Sequence, residues 1–259
     1  MMDKKIVFFD IDGTLLDHDK ELPASTAAAI QALKQEGIYV AIATGRAPFM
    51  FKELRESLGI DSFVSFNGQY VVFEGEVIYE NPLDKERLHS LKEAAHANEH
   101  PLVFMDAETM KASVENHPHI HVSMGSLKFT HPEFDEYYYQ HQNIYQALLF
   151  CKPEEEELYV RTYKEFRFVR WHAVSTDVLP SGGSKAEGIK KMIERVGVRR
   201  ENVYAFGDGL NDIEMLQFVG TGVAMGNAKE EVKQIADFVT KPVDEDGILF
   251  GLKKLGLLK

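Results

Sequence analysis

Along this chain, short hydrophobic runs without polar alternation take turns with longer amphipathic stretches. The first run, Ile6-Val7-Phe8-Phe9, is β-branched or aromatic throughout. That is the pattern of a central parallel strand covered on both faces. Pro23-Ala24-Ser25-Thr26 opens an alanine-rich helix that ends near Gly37, where a C-cap glycine belongs. Residues 38–43 predict a second buried strand, 48–58 a helix closing at Gly59, and 63–66 a third strand running into the turn dipeptide Asn67-Gly68. Strand and helix in strict alternation argue for a parallel sheet with right-handed crossovers. Residues 70–73 and 77–79, split by Glu74-Gly75-Glu76, read as a hairpin.

At Asn81-Pro82 the rhythm changes, and as far as about Pro180 aromatics and histidines become frequent while the βα order lapses. The pattern predicts an inserted domain over 82–181, dividing a core made of 1–81 and 182–259. Within the insert it predicts helices over 85–98 and 154–164 and strands over 102–105, 145–151 and 167–171. The acidic run Glu154 to Glu157 follows Pro153 and suits the first turn of a solvated helix. Ser181-Gly182-Gly183-Ser184-Lys185 returns the chain to βα order: helices over 185–196, 213–218 and 229–236, and strands over 203–206, 222–225 and 237–239. The fold class expected is α/β, a Rossmann-like parallel-sheet core with an inserted α+β domain. Hinges are expected near Asn81-Pro82 and Ser181-Gly182-Gly183.

Composition narrows the partners. The 259 residues, 44% of them hydrophobic, are ample for a large core. The net charge of -12, from 29 basic and 41 acidic side chains, lacks the footprint a nucleic-acid binder needs. A small phosphorylated molecule is still compatible, because one pocket can be cationic on an acidic protein. Cys151 is the one cysteine, which excludes an intrachain disulfide and suits a reducing compartment; its apolar neighbours make it a buried strand residue. The opening residues lack the length of a signal peptide or membrane span. A soluble cytoplasmic protein without a membrane partner is expected.

Candidate chemistry gathers at strand ends, where open α/β sheets bind ligands. Asp10 and Asp12 lie about 7 Å apart on an extended chain. They repel each other unless a cation sits beside them, and a hard one such as Mg²⁺ fits oxygen ligands. Thr44-Gly45 ends the second strand, Asp208, Asn211 and Asp212 follow a later one, and Lys185 begins a helix. Each alone has an ordinary explanation as a turn, a cap or a solvated lysine. Together they match phosphoryl transfer through an acyl phosphate. Asp10 would attack phosphorus, and Asp208 would complete a Mg²⁺ site with it. Lys185, the Thr44 hydroxyl and backbone N–H groups would hold the phosphate oxygens, and Asp12 would move protons.

These motifs resemble those of haloacid dehalogenase superfamily phosphatases, specifically the Cof-type subgroup with a large α/β (C2-type) cap. The matching stretches are Asp10-Ile11-Asp12-Gly13-Thr14-Leu15-Leu16, Thr44-Gly45-Arg46, Ser184-Lys185 and Gly207-Asp208-Gly209-Leu210-Asn211-Asp212. The resemblance implies Asp10 as nucleophile and metal ligand, and Asp12 as acid/base and as a ligand through its backbone carbonyl. It implies Asp208 as the remaining protein ligand and phosphate contacts from Ile11 N–H, Thr44, Gly45, Lys185 and Asn211. Asp212 would orient Lys185 or a metal-bound water. Where the family often has Asn-Gly-Ala, this chain has Asn67-Gly68-Gln69, which makes Asn67 and Gln69 candidate substrate contacts.

The activity so implied is Mg²⁺-dependent hydrolysis of small phosphomonoesters such as sugar phosphates, pyridoxal phosphate or flavin mononucleotide. A phosphomutase or phosphotransferase of the same chemistry is the alternative within enzymes; a receiver-like phosphate-binding module is the alternative outside them. Asp12 argues against a dehalogenase, and a P-type pump needs membrane helices. The cap is expected to close over the crevice and choose the leaving group. In it, His117-Pro118-His119-Ile120-His121 would put three imidazoles on one face if extended, the spacing of a metal site, but Pro118 disrupts a ladder and no Cys or carboxylate joins at close spacing; a surface segment is the expectation, with a substrate-proximal cap loop as the intermediate reading. Tyr137-Tyr138-Tyr139 is expected as cap core and rim, and Trp171 as packing.

Overall fold

The computed structural model describes residues 4–259. The chain opens with β1 (Ile6–Phe9), α1 (Ala24–Gln35), β2 (Tyr39–Ala43), α2 (Lys52–Leu58), β3 (Phe63–Ser65), β4 (Tyr70–Phe73) and β5 (Glu76–Glu80). Its middle carries α3 (Lys85–Ala97), β6 (Leu102–Met105), β7 (Met110–Ala112), α4 (Pro118–Ser126), α5 (Tyr138–His141), β8 (Gln146–Leu149), α6 (Pro153–Thr162), β9 (Phe166–His172) and β10 (Ser175–Pro180). It closes with α7 (Lys185–Val196), β11 (Val203–Gly207), α8 (Ile213–Phe218), β12 (Thr221–Ala224), α9 (Glu230–Ile235), β13 (Phe238–Val239) and α10 (Gly247–Lys254). Two compact units result: one holds the chain up to Arg46 with Met50–Glu80 and Ser184–Lys259, the other Ala47–Phe49 with Asn81–Gly183.

The first unit is built on an eight-stranded sheet in the order β13-β12-β11-β1-β2-β3-β4-β5. The strands from β13 to β3 run parallel, and β4 and β5 turn back antiparallel at one edge. The unalternated run of β1 has a direct cause. Val7 and Phe9 enter the apolar cluster with α1 and α10, while Ile6 and Phe8 enter the opposite one with α7 and α8. All four are fully buried. Truncating Phe8 to Ala would cost about 3–5 kcal/mol by the usual core cavity rule. β1 is flanked by β2, reached through α1, and by β11, which starts the second half of the chain. The sheet order reverses there, so loops at the ends of β1, β2 and β11 share one edge.

The inserted unit carries its own five-stranded antiparallel sheet, in the order β7-β6-β8-β10-β9. Leu88, Leu91 and Ala95 of α3 and Tyr159 of α6 cover one face of it, packing on Leu102, Phe104, Ala147, Leu149 and Val178. Tyr139 is buried and Tyr137 exposed, the expected division of core and rim, and Cys151 is buried. The segment at His117 forms a helix that the sequence pattern did not predict. His117 Nδ1 accepts from the His119 N–H and Pro118 occupies the first turn, so a helix, α4, starts there. The Pro that would break a strand is at home in the first turn of a helix, and no extended row of imidazoles forms. β7, α5, β10 and α10 were likewise not predicted.

Candidate active site

Asp10 follows β1 directly, and its N–H still donates to Phe206 O at 3.0 Å, so the register of β1 on β11 fixes its backbone. Ile11 is fully buried in the core beside it. Gly13 has φ +77°, and a Cβ there would fall 2.2 Å from Asp208 Oδ2. Only glycine lets the first loop approach the β11 loop this closely. Thr14, fully buried, donates from Oγ1 to Asp208 Oδ1 at 3.3 Å.

Lys185 lies at the centre. It opens α7, whose N-cap Ser184 accepts from the Glu187 N–H, and its side chain is fully buried. Its Nζ donates to Asp10 Oδ1 and to Asp212 Oδ1, both at 2.6 Å. Asp212 Oδ2 meanwhile accepts from the N–H groups of Asp208 (3.0 Å) and Gly209 (2.9 Å). Both oxygens of Asp212 are therefore engaged in shaping the loop. Carboxylate oxygens of Asp10, Asp208 and Asp212 lie within 4.8 Å of one another.

One cation among three acids leaves negative charge uncompensated, and the proton affinities follow. Burial pushes Asp10 up to about 7 despite Lys185, with Asp212 and Asp12 adding to the rise. Burial and then Asp212 raise Asp208 to about 6, against Thr14 and Lys185. Lys185 is shifted upward, since the attraction of Asp10 and Asp212 outweighs its desolvation. A hard dication fits this donor set: oxygen ligands only, close together, and crowded enough that added positive charge relieves them.

Asp12 is arranged differently. Arg46 grips its carboxylate through Nε (2.8 Å) and Nη2 (2.6 Å), and Lys20 Nζ adds a contact at 2.6 Å. Burial would raise this acid, but Arg46 and then Lys20 override it and hold it below the usual range. Sequence reasoning missed this clamp. Arg46 had a signal in its place beside Thr44-Gly45, whereas Lys20 is a lone loop lysine without one.

Thr44, buried at the end of β2, pairs its N–H with Val64 O at 2.8 Å and accepts from the Arg46 N–H at 3.1 Å on Oγ1, with Gly45 between. Asn67 adopts a left-handed conformation (φ 51°, ψ 39°), its N–H reaches Thr44 O, and its Oδ1 accepts from Asn211 Nδ2 at 3.2 Å. The structure thus ties Asn67 and Asn211 together at the exposed side of the cluster. Gln69, beside them in sequence, is fully buried, as Thr44 and Lys185 are.

Residues 7–252 match the family model of haloacid dehalogenase-like hydrolases. The chain belongs to this family. It is 57% identical over 258 residues, the full length of both chains, to YkrA of Bacillus subtilis (strain 168), a protein named for phosphatase activity. A crystal structure of a Geobacillus kaustophilus HTA426 protein superposes at TM-score 0.97, with 71% identity over 98% of this chain and all of that one. The sugar phosphatase BT4131, of HAD subclass IIB, superposes at 0.84 with 31% identity, over 98% of this chain and all of that one. The haloacid dehalogenase-like fold, a parallel core sheet and a separate antiparallel cap sheet, is therefore that of a Cof-type phosphatase, a phosphoric monoester hydrolase. No helix among the described residues is long and apolar enough to cross a membrane.

Proposed function

We propose that this haloacid dehalogenase-like enzyme is a cytoplasmic, Mg²⁺-dependent phosphatase of small phosphorylated metabolites, with a core of residues 1–81 and 182–259 and a cap of 82–181. The observation that carries this reading is Lys185 held 2.6 Å from both Asp10 and Asp212, with Asp208 in the same cluster. Asp10 and Asp208, with the backbone carbonyl of Asp12, would hold the ion. When bound, Mg²⁺ supplies positive charge that offsets repulsion between Asp10 and an incoming phosphate.

The remaining steps belong to the chain's own groups. An Asp10 carboxylate oxygen forms a bond to phosphorus as the bond to the leaving alcohol breaks, and Asp12 delivers a proton to that alcohol. Water then attacks the aspartyl phosphate, Asp12 takes its proton, and inorganic phosphate leaves. Lys185, Thr44, Gly45, Asn211 and the Ile11 N–H would hold the phosphate oxygens, Asp212 positions Lys185, and Asn67 would sit near the substrate. Asp12, held ionised by Arg46 and Lys20, starts in the form suited to the base step; the acid step requires it to gain a proton first.

Sugar phosphates lead the substrate classes, because BT4131 is a sugar phosphatase with the same fold along its whole length; pyridoxal phosphate and flavin mononucleotide follow. Turnover of an aryl phosphate with and without Mg²⁺, in wild type and Asp10→Asn, tests the reading. It expects Mg²⁺-dependent turnover that Asp10→Asn abolishes. Full activity in that variant would overturn it.

A further inference from the structure

The histidines of the inserted unit carry a feature that phosphate chemistry does not absorb. His131 Nδ1 lies 2.8 Å from Pro132 O, an atom that can only accept, so Nδ1 bears the proton and Nε2 carries the lone pair. That Nε2 is buried and has no hydrogen-bond partner. His121 Nε2 lies 2.6 Å from Asn116 Oδ1 and donates to it, which leaves the lone pair on His121 Nδ1. The His121 and His131 ring centroids are 4.9 Å apart. Imidazole nitrogens about 2.0–2.1 Å from one tetrahedral ion put their ring centres about 5 Å apart. Fixing a tautomer by hydrogen-bonding the far nitrogen to a carbonyl is how metal-ligating histidines are oriented.

His117 lies one helical turn before His121, whose N–H donates to His117 O at 3.1 Å. Its Nδ1 accepts from the His119 N–H at 3.2 Å, so its lone pair is engaged and it stands outside the pair. His119 Nδ1 is also buried without a partner, but two positions along α4 from His121 it points to the other side of the helix.

We propose that His121 Nδ1 and His131 Nε2 form the nucleus of a cation site on the inserted unit, with water completing the shell. Two imidazole nitrogens among the ligands select a borderline dication such as Ni²⁺ or Zn²⁺ over Mg²⁺. The site shares no residue with the acidic cluster of the core.

Titrating the full-length protein with Ni²⁺ in saturating Mg²⁺, by calorimetry, tests this. Wild type is expected to bind one equivalent that His131→Ala and His121→Ala lose. Asn116→Ala, which removes only the group orienting His121, is expected to bind about 10-fold more weakly. His96→Ala, an exposed histidine outside the pair, is expected to match wild type, and all four variants are expected to keep Mg²⁺-dependent phosphatase activity. Wild type without this equivalent, or an unchanged isotherm in His131→Ala and Asn116→Ala, would overturn the proposal. Asn116→Ala leaves both imidazoles in place, so it decides the matter should a histidine variant fold poorly.

Discussion

Asp10 in the core sheet and Asp177 in the inserted sheet are both acids raised to about 7 by burial, yet their surroundings differ in kind. Asp10 meets a buried lysine and two further carboxylates. Asp177 stands on β10 opposite Leu148 and Val169, and what draws its pKa back is the uncharged pair Gln146 and Trp171. Burial alone therefore perturbs an acid wherever the chain encloses one. What marks the core site is convergence: a cation and several acids delivered by separate elements to one point.

Removing the converging cation should have the largest effect. Lys185→Met leaves Asp10 and Asp212 facing each other uncompensated, and breaking a buried pair of this kind costs about 3–5 kcal/mol. Urea unfolding should show that loss, and kcat/KM on an aryl phosphate should fall by about 10³-fold, the scale of removing a preorganised charge. The same substitution at Lys20, on the exposed side of Asp12, should leave stability nearly unchanged, within about 0.5 kcal/mol. Next in size is Asp12→Asn, expected to lower kcat by about 10²-fold, the lower end of what a general acid–base group contributes. Its effect should be larger for alkyl than for aryl phosphates, since alkoxide leaving groups need the proton more. Equal losses for both would remove Asp12 from the acid step.

Titration sharpens the contrast further. Ion-free Asp10 and Asp208 hold protons up to about 7 and about 6, and a metal must displace them. Mg²⁺ affinity should therefore rise as pH climbs through 6 to 7 and weaken below it, a trend calorimetry at several pH values would reveal. The smallest effect belongs to Asp177. Its folded pKa lies above the ordinary 3.8, so the native state binds the proton more tightly than the unfolded chain. Stability from this group is then present at low pH and lost as pH rises toward about 7. Asp177→Asn should raise Tm at pH 8 by about 2–4 °C, with little change at pH 4.

Much of the core was legible because its signals are local. Four apolar residues ending in Asp10, glycines just past helices, and βα alternation each reflect one element's own physics, and the motif residues fall at strand ends where topology gathers them. The inserted unit was harder for reasons visible in its residues. Ser175-Thr176-Asp177 of β10 breaks the apolar pattern of a buried strand, because Thr176 Oγ1 is satisfied by Glu156 at 2.9 Å from α6, a partner far away in sequence. α4 starts on a histidine cap, an uncommon choice, so its proline read as a strand breaker. The clamp on Asp12 depends on a lysine eight residues away folding back, which no periodicity records. α10, Gly247–Lys254, packs Ile248 and Leu252 into the core beside α1, and its short apolar stretch gave no clear period.

The central claim is that Asp10 takes the phosphoryl group. Acid quench of the enzyme during turnover of a ³²P-labelled aryl phosphate, followed by peptide mapping, tests it most directly. Label on the peptide containing Asp10 in wild type, and none in Asp10→Asn, is the expected result. Turnover that proceeds in Asp10→Asn, or label carried on another residue, would contradict the account.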